Sequence, residues 1–372
     1  MIKEVSIVKP KQITRGYDVI LEWMEDTAKY FNVPVVMDTS YDSYGQNSSI
    51  YFHASEIPPT GIKAVIKSAR NSLGQMFPVL RRLTMKKRML SYSNHSIPDL
   101  EQNISSPLSV YYMASPLEIS VCSHGNCLPI YIDVWHDSIK YVAESTKNLK
   151  LFYVTSRAVY DLIKAENPDS NVRYMPLSVS DRYFSPNFEK YRHKTIDVIR
   201  IGRRDSLLHE YMLRYTNEHK DVEYVYAGTD GKYSCYISTT RGNIGENASR
   251  DDFINTLASA KISLVSPPGM DRKNPQKYGI NFPTPRFYES AVLGCSLIGR
   301  YPDNEEFREL NMSRYCPNIT SYEQFVHELE RALAMTPEEL YAQNHDFIIN
   351  SLTSKRAEQI RKDLEALTCQ NS

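Results

Sequence analysis

Thr284-Pro285-Arg286-Phe287-Tyr288-Glu289-Ser290-Ala291-Val292-Leu293-Gly294-Cys295-Ser296-Leu297-Ile298 reads as a helix handed directly to a strand. Thr284 is an N-cap type of residue, and Pro285 suits the first helical turn, where no backbone N–H is needed. Gly294 is a natural helix stop, and Cys295–Ile298 is then a short apolar run of buried-strand type.

The alternation continues on both sides of this stretch. Upstream, Asp197–Ile201 predicts a strand running into Gly202-Arg203-Arg204, Ser206–His219 a helix, and Val222–Ala227 a strand ended by Gly228. Ser249 with Asp252 three residues on predicts a capping box and a helix to Ala260. Ile262–Val265 predicts a strand that stops at Ser266-Pro267-Pro268-Gly269. Downstream, helices are expected at Tyr322–Met335, Pro337–Asn350 and Lys355–Leu367, two of them marked by Ser321 with Gln324 and by Thr336 before Pro337.

The amino-terminal part repeats the rhythm. Strands are expected at Val5–Val8, Val33–Met37 (of buried type), Ser49–His53, Ser109–Met113, Leu117–Cys122, Ile130–Val134, Lys150–Val154 and Val172–Met175. Helices are expected over Gly16–Phe31, from Asp137 to Lys147 with Asp137 as the cap, and from Ser156 to about Glu166. Between Pro176 and Lys194 the pattern breaks down into a linker. A βαβ rhythm of this kind predicts mostly parallel sheets with helices on their faces. The expected domains are 1–178, a linker 179–195, and 196–350. A last helix, 351–372, is expected to pack back on the first domain.

Composition narrows the function. The chain has 372 residues, 44 Lys plus Arg against 44 Asp plus Glu, and 41% hydrophobic residues, enough to bury a core. Zero formal charge argues against a general nucleic-acid coat, and no nucleic-acid partner is expected. No apolar run approaches the ~18 residues of a membrane span. The six cysteines, at 122, 127, 235, 295, 316 and 369, form no CxxC pair, so neither a disulfide framework nor a metal site is expected. A reducing, cytoplasmic setting fits best.

Chemistry concentrates at the ends of the predicted carboxy-terminal strands. The helix start at Thr284 offers free N–H groups and a positive dipole end suited to a phosphate, with Arg286 as a planar cation. Glu289 could accept hydrogen bonds from a ribose diol. Arg286 and Glu289 also stand at the i, i+3 spacing of an ordinary ion pair. Gly202-Arg203-Arg204, Gly228 and Ser266 lie where strands of an open α/β sheet end, the edge at which such sheets bind ligands.

Three segments, Val198–Arg203, Asp252–Gly269 and Thr284–Cys295, resemble the nucleotide-sugar domain of GT-B glycosyltransferases of the bacterial family 1 and family 4 type. The likeness covers roughly residues 150–310. It implies two Rossmann-like doubly wound domains facing across a cleft, with the donor nucleotide held mainly by the second. It further implies that Gly202-Arg203 steadies the diphosphate and that Glu289 holds the ribose. The acidic residue that family 4 members carry eight positions earlier is Asn281 here, and the usual lysine downstream of the arginine is missing, with Arg204 or Arg286 as substitutes. The expected partners are a nucleotide sugar and a glycan or lipid-linked acceptor, in surface polysaccharide assembly, with no bound metal or other cofactor. A sugar-nucleotide epimerase and an inactive nucleotide-sugar-binding scaffold are the alternatives.

The same resemblance places the acceptor and any catalytic base in the first domain. The candidates at strand ends are His53, His124, in Ser123-His124-Gly125-Asn126, and the cluster Asp133, His136 and Asp137 after a predicted strand. A structural or solvated role is the rival reading for each. Residues 57–98 carry eight Lys and Arg and no acid. Arg81, Arg82, Lys86, Lys87 and Arg88 there would suit an anionic membrane surface, placing the protein on the inner face of a membrane. A core-packed helix pair with a solvated basic face is the rival.

Overall fold

The computed structural model describes residues 5–10, 18–38, 97–124, 126–187, 189, 192–202, 204–228, 235–245, 249–267, 270 and 280–370. The basic segment with Arg81, Arg82, Lys86, Lys87 and Arg88, the strand expected at Ser49–His53, and Arg203 lie outside them.

The amino-terminal half comprises β1 (Val5–Pro10), α1 (Asp18–Phe31), β2 (Val35–Asp38), β3 (Leu108–Met113), β4 (Cys127–Tyr131), α2 (Ile139–Ser145), β5 (Phe152–Val154), α3 (Arg157–Glu166) and β6 (Val172–Tyr174). Its six strands are parallel, in the order β2-β1-β3-β4-β5-β6. The carboxy-terminal half opens with β7 (Ile196–Arg200), α4 (Ser206–Glu218), β8 (Tyr224–Ala227), β9 (Tyr236–Ser238), β10 (Gly242–Gly245), α5 (Arg250–Ala258) and β11 (Ala260–Val265). It continues with α6 (Pro285–Val292), β12 (Ser296–Gly299), α7 (Glu305–Glu309), α8 (Met312–Tyr315), α9 (Tyr322–Ala334), α10 (Pro337–Ser351) and α11 (Thr353–Gln370). Its sheet runs β10-β9-β8-β7-β11-β12, with β9 and β10 antiparallel and the remainder parallel. Two doubly wound α/β halves are thus present, one before and one after the linker.

The strands β3, β4, β5, β11 and β12 are buried along almost all of their length because helices cover both faces of a parallel sheet. Phe152, Tyr153 and Val154 of β5 are all fully buried, as are Leu297 and Ile298 of β12. Each such side chain contributes about 1.5–3 kcal/mol through removal from water. Ser249 and Asp252 exchange the two hydrogen bonds of a capping box at α5. Thr336 and Glu339 do the same at α10.

Three local expectations are corrected. Leu117–Cys122 is no strand but part of a 3₁₀ turn, Pro116–His124, in which the Glu118 carboxylate accepts the Ala114 N–H at 3.0 Å and so closes the turn locally. The apolar run at β2 is not buried: it forms the sheet edge, and Val36 and Met37 are 45% and 54% exposed. Finally, α2 is capped by Ser138, since residues 136–138 form a 3₁₀ turn ahead of it.

The chain crosses back at its end. Val179 bridges Leu352, and Ser354 N–H donates to the Asp181 carboxylate at 3.1 Å. From there α11 packs along α1, with Arg361 donating to Tyr30 Oη at 3.1 Å and Tyr153 Oη to Asp363 at 2.8 Å. Among the described residues no helix is long and apolar enough to cross a membrane.

Candidate functional site

β7 ends at Arg200, and Gly202 beyond it has φ +95°, a conformation that glycine adopts without strain. The position of a Cβ there would be 3.5 Å from Arg286 Nε. Gly202 and Arg286, 84 positions apart in the sequence numbering (286 − 202), therefore meet at the carboxyl edge of the sheet. Thr284 takes an extended N-cap backbone and Pro285 the first helical position, as the sequence predicts; the Thr284 hydroxyl itself makes no capping bond.

Glu289, one turn into α6, is 1% exposed and gripped from two sides. Arg286 Nη1 lies 2.7 Å from one carboxylate oxygen and Arg250 Nη2 2.6 Å from the other. Arg250, the first residue of α5, also reaches across to the first half, to Glu22 of α1, with Nη2–Oε2 at 2.9 Å and Nε–Oε1 at 3.1 Å. Tyr183 of the linker donates its hydroxyl to the same Glu22. The result is a chain of alternating charge, Glu22–Arg250–Glu289–Arg286, that joins the two halves. Phe253 lies under it, its ring 4.2 Å from the Arg286 guanidinium and 5.4 Å from that of Arg250.

Burial alone would raise the Glu289 carboxyl, but Arg286 and Arg250 overcome it and hold the group below the ordinary value. Burial lowers Arg286 in turn. The Arg286–Glu289 contact is close but badly angled, leaving Arg286 Nε and Nη1 and Glu289 Oε2 buried without a hydrogen bond. The Arg286 side chain is 21% exposed, so its guanidinium keeps an open edge from which it can donate to an oxyanion. The i, i+3 ion pair and the cationic helix start are one arrangement. A ribose diol at Glu289 has to share its oxygens with two guanidinium groups.

The other carboxy-terminal candidates divide. Ser266 is half-buried beyond β11. Gly228 is explained by packing, since a Cβ there would stand 2.8 Å from Ile237 Cγ1 of β9. Arg204 is exposed and lines a groove along α4 rather than joining Arg286.

In the first half, His124 closes the 3₁₀ turn after β3. His136 and Asp137 are exposed beyond β4. The bulk of protein around Asp137 raises its carboxyl above the ordinary value although the side chain stays open to water. The neighbouring Trp135 ring lies 6.0 Å from that of Phe282, just ahead of α6, so this loop approaches the start of the second half's cationic helix. Sequence reasoning missed Arg250 and Glu22. The only local sign of Arg250 is its place directly after the Ser249 cap, and nothing in the chain near Glu22 marks its partner.

No family model and no curated sequence matches the chain. Solved structures do. The trehalose-6-phosphate synthase OtsA matches at 10% identity over 98% of this chain and 99% of its own, with a TM-score of 0.52. A trehalose-6-phosphate synthase studied with bisubstrate glycomimetics matches at 11% identity over 98% and 99%, with a TM-score of 0.51. An α,α-trehalose-phosphate synthase (UDP-forming) from Burkholderia vietnamiensis matches at 10% identity over 98% and 100%, with a TM-score of 0.50. The chain spans only 54% and 60% of the length of two other matched chains. These come from the accessory secretory protein 1, 2 and 3 structure of Streptococcus pneumoniae and the pneumococcal O-GlcNAc transferase GtfA, with TM-scores of 0.45 and 0.43.

Proposed function

We propose that this chain, whose fold is that of the GT-B glycosyltransferases, moves a sugar from a nucleotide-sugar donor to a glycan or lipid-linked acceptor. The observation that carries the reading is the meeting of Gly202 with the partly exposed guanidinium of Arg286 at a sheet edge where open α/β folds bind ligands. In this reading the diphosphate lies against Arg286 and the first turn of α6. Glu289, kept ionised by Arg286 and Arg250, takes the ribose. His136 and Asp137 serve the acceptor from the other half.

The leaving diphosphate is stabilised by fixed protein cations in this reading. The transferred sugar is of the hexose type and the setting is surface polysaccharide assembly. The basic segment around Arg81–Arg88 seats the protein on an anionic membrane surface. Those three finer points rest on the sequence.

Calorimetric titration of UDP, GDP, dTDP and CMP into the wild type and Arg286→Ala tests the site. One nucleotide should bind selectively and lose at least tenfold in affinity in the variant, about 1.4 kcal/mol or more. Equal affinity in both proteins removes α6 from the donor site. Sugar transfer to a glycan acceptor then separates a transferase from an epimerase, which turns over the donor alone, and from a scaffold, which turns over nothing.

A further inference from the structure

Arg250 serves two carboxylates from opposite halves at once. Its Nη2 donates to Glu289 Oε1 at 2.6 Å and to Glu22 Oε2 at 2.9 Å, while its Nε donates to Glu22 Oε1 at 3.1 Å. The grip on Glu22 is therefore a two-pronged fork, the stronger arrangement for a guanidinium, and the grip on Glu289 is a single bond. Other contacts steady Arg250 without Glu289. Its guanidinium lies 5.4 Å from the Phe253 ring and 5.9 Å from the Tyr183 ring, both within range of a cation–π attraction. The Tyr183 hydroxyl in turn fixes Glu22. Burial works against the charge on Arg250, but Glu289 and Glu22 outweigh it and hold the group above its ordinary value.

The two oxygens of Glu289 are not equally engaged. Oε2 makes no hydrogen bond, whereas Oε1 accepts from Arg250. A vicinal diol grips a carboxylate best with one hydroxyl on each oxygen, so it needs Oε1 as well as Oε2. Glu289 is 1% exposed, and a diol gains Oε1 only by displacing Arg250 Nη2. Arg250 can make that move because the fork to Glu22 survives it. Among the described residues Arg250 pairs with no third carboxylate. With Glu22 uncharged, releasing Glu289 would strand a guanidinium that is only 18% exposed, and an unpaired buried charge is costly.

Resting on the reading in which Glu289 takes the ribose, we propose that Glu22 is a positioning residue for the nucleotide: from the first half it holds Arg250 while Arg250 releases Glu289 to the ribose diol. Recognition of the ribose in the second half then draws on a carboxylate of α1 that acts only through Arg250. A ligand with a single ribose hydroxyl is served by the free Oε2 and needs no such release, which separates this role from that of a plain structural ion pair.

Calorimetry with UDP, GDP and CMP, their 2′-deoxy forms and dTDP tests it on the wild type, Glu22→Gln, Arg250→Ala and the double variant. Glutamine matches glutamate in shape and still accepts from Arg250 and Tyr183, so the fold is retained. The ribonucleotide that the wild type prefers should lose at least tenfold in affinity in Glu22→Gln, and its 2′-deoxy form less than threefold. In the Arg250→Ala background Glu22→Gln should change neither. Undiminished ribonucleotide binding in Glu22→Gln overturns the proposal; if Arg286→Ala still weakens binding, the donor site on α6 stands without it. Equal losses for the ribo and 2′-deoxy forms overturn it too, as does a further loss in the Arg250→Ala background. A wild type that prefers 2′-deoxy nucleotides has no use for the release and overturns it alone. A wild type that binds none of these nucleotides overturns the donor site and the proposal together.

Discussion

Glu289 and Asp137 are both acidic residues near the ends of parallel strands, yet their surroundings pull them apart. Glu289 is almost fully buried, gripped by two guanidinium groups and held ionised. Asp137 is exposed, in no ion pair among the described residues, and pushed upward, towards holding its proton. The carboxy-terminal rim is thus preorganised: its charges are fixed before any ligand arrives, which favours binding and stabilising a diphosphate. The amino-terminal rim leaves Asp137 open to water with its carboxyl raised, which suits proton traffic with a hydroxyl acceptor. The difference in burial thus goes with opposite shifts of the two carboxyls.

The contrast breaks first at Glu289. Its replacement by alanine leaves Arg250 and Arg286 without their shared carboxylate, and the expected loss is about 3–5 kcal/mol, the range for one partner removed from a buried pair. Chemical denaturation gives the number directly. Arg250→Ala should cost a similar amount, and the double variant less than the sum, because the two residues share one contact. A loss below about 1 kcal/mol at Glu289 would mean that water reaches the network and that the two rims are alike.

How much of this the sequence disclosed depends on whether an interaction is local. The capping box of Ser249 and Asp252, the Thr284-Pro285 helix start and the alternation of strands and helices are written within a few residues, and all three are present. The β9–β10 hairpin went unread because Tyr236–Ser238 and Gly242–Gly245 are short, polar and glycine-bearing, with no apolar run. Leu117–Cys122 has a strand's composition but sits behind Pro116 and carries Glu118, which turns it. At the site, the Arg286–Glu289 pair was legible from its i, i+3 spacing. The Arg250–Glu22 contact spans 228 positions, and only tertiary packing creates it.

A second joint between the halves sharpens the contrast by its response to pH. Glu306 of α7 is 2% exposed and accepts the Arg157 N–H at 2.9 Å, so a carboxyl from the second half caps α3 of the first. Unlike Glu289 it is in no ion pair among the described residues. Burial raises its pKa to about 7, from 4.5, with the Arg157, Tyr174 and Ser156 hydrogen bonds opposing. Between those two values the folded chain holds more protons than the unfolded one, so stability falls as pH rises and the penalty is complete above pH 7. Glu306→Gln removes the penalty. It should stabilise the protein by roughly 2–3 kcal/mol at pH 8 and have little effect near pH 4, as read from denaturation midpoints. Equal effects at both pH values would mean that Glu306 is as well compensated as Glu289.

The smallest effect on stability, and the most informative about chemistry, is expected on the amino-terminal rim. His136 and Asp137 are exposed and in no salt bridge among the described residues, so His136→Ala and Asp137→Asn should each change stability by no more than about 0.5 kcal/mol. On the reading in which this rim supplies the base, one of them should lower the transfer rate on the order of 10²–10⁴-fold while nucleotide affinity is unchanged. The pH–rate profile identifies which. Loss of the acidic limb with Asp137→Asn, at a pH above that of an ordinary carboxylate, assigns the base to Asp137; its persistence there and loss with His136→Ala assigns it to the imidazole. If both variants transfer at the wild-type rate, the open rim only seats the acceptor. The reaction then rests on the cations around Arg286, where the same assay on Arg286→Ala should show a rate deficit beyond its loss of affinity.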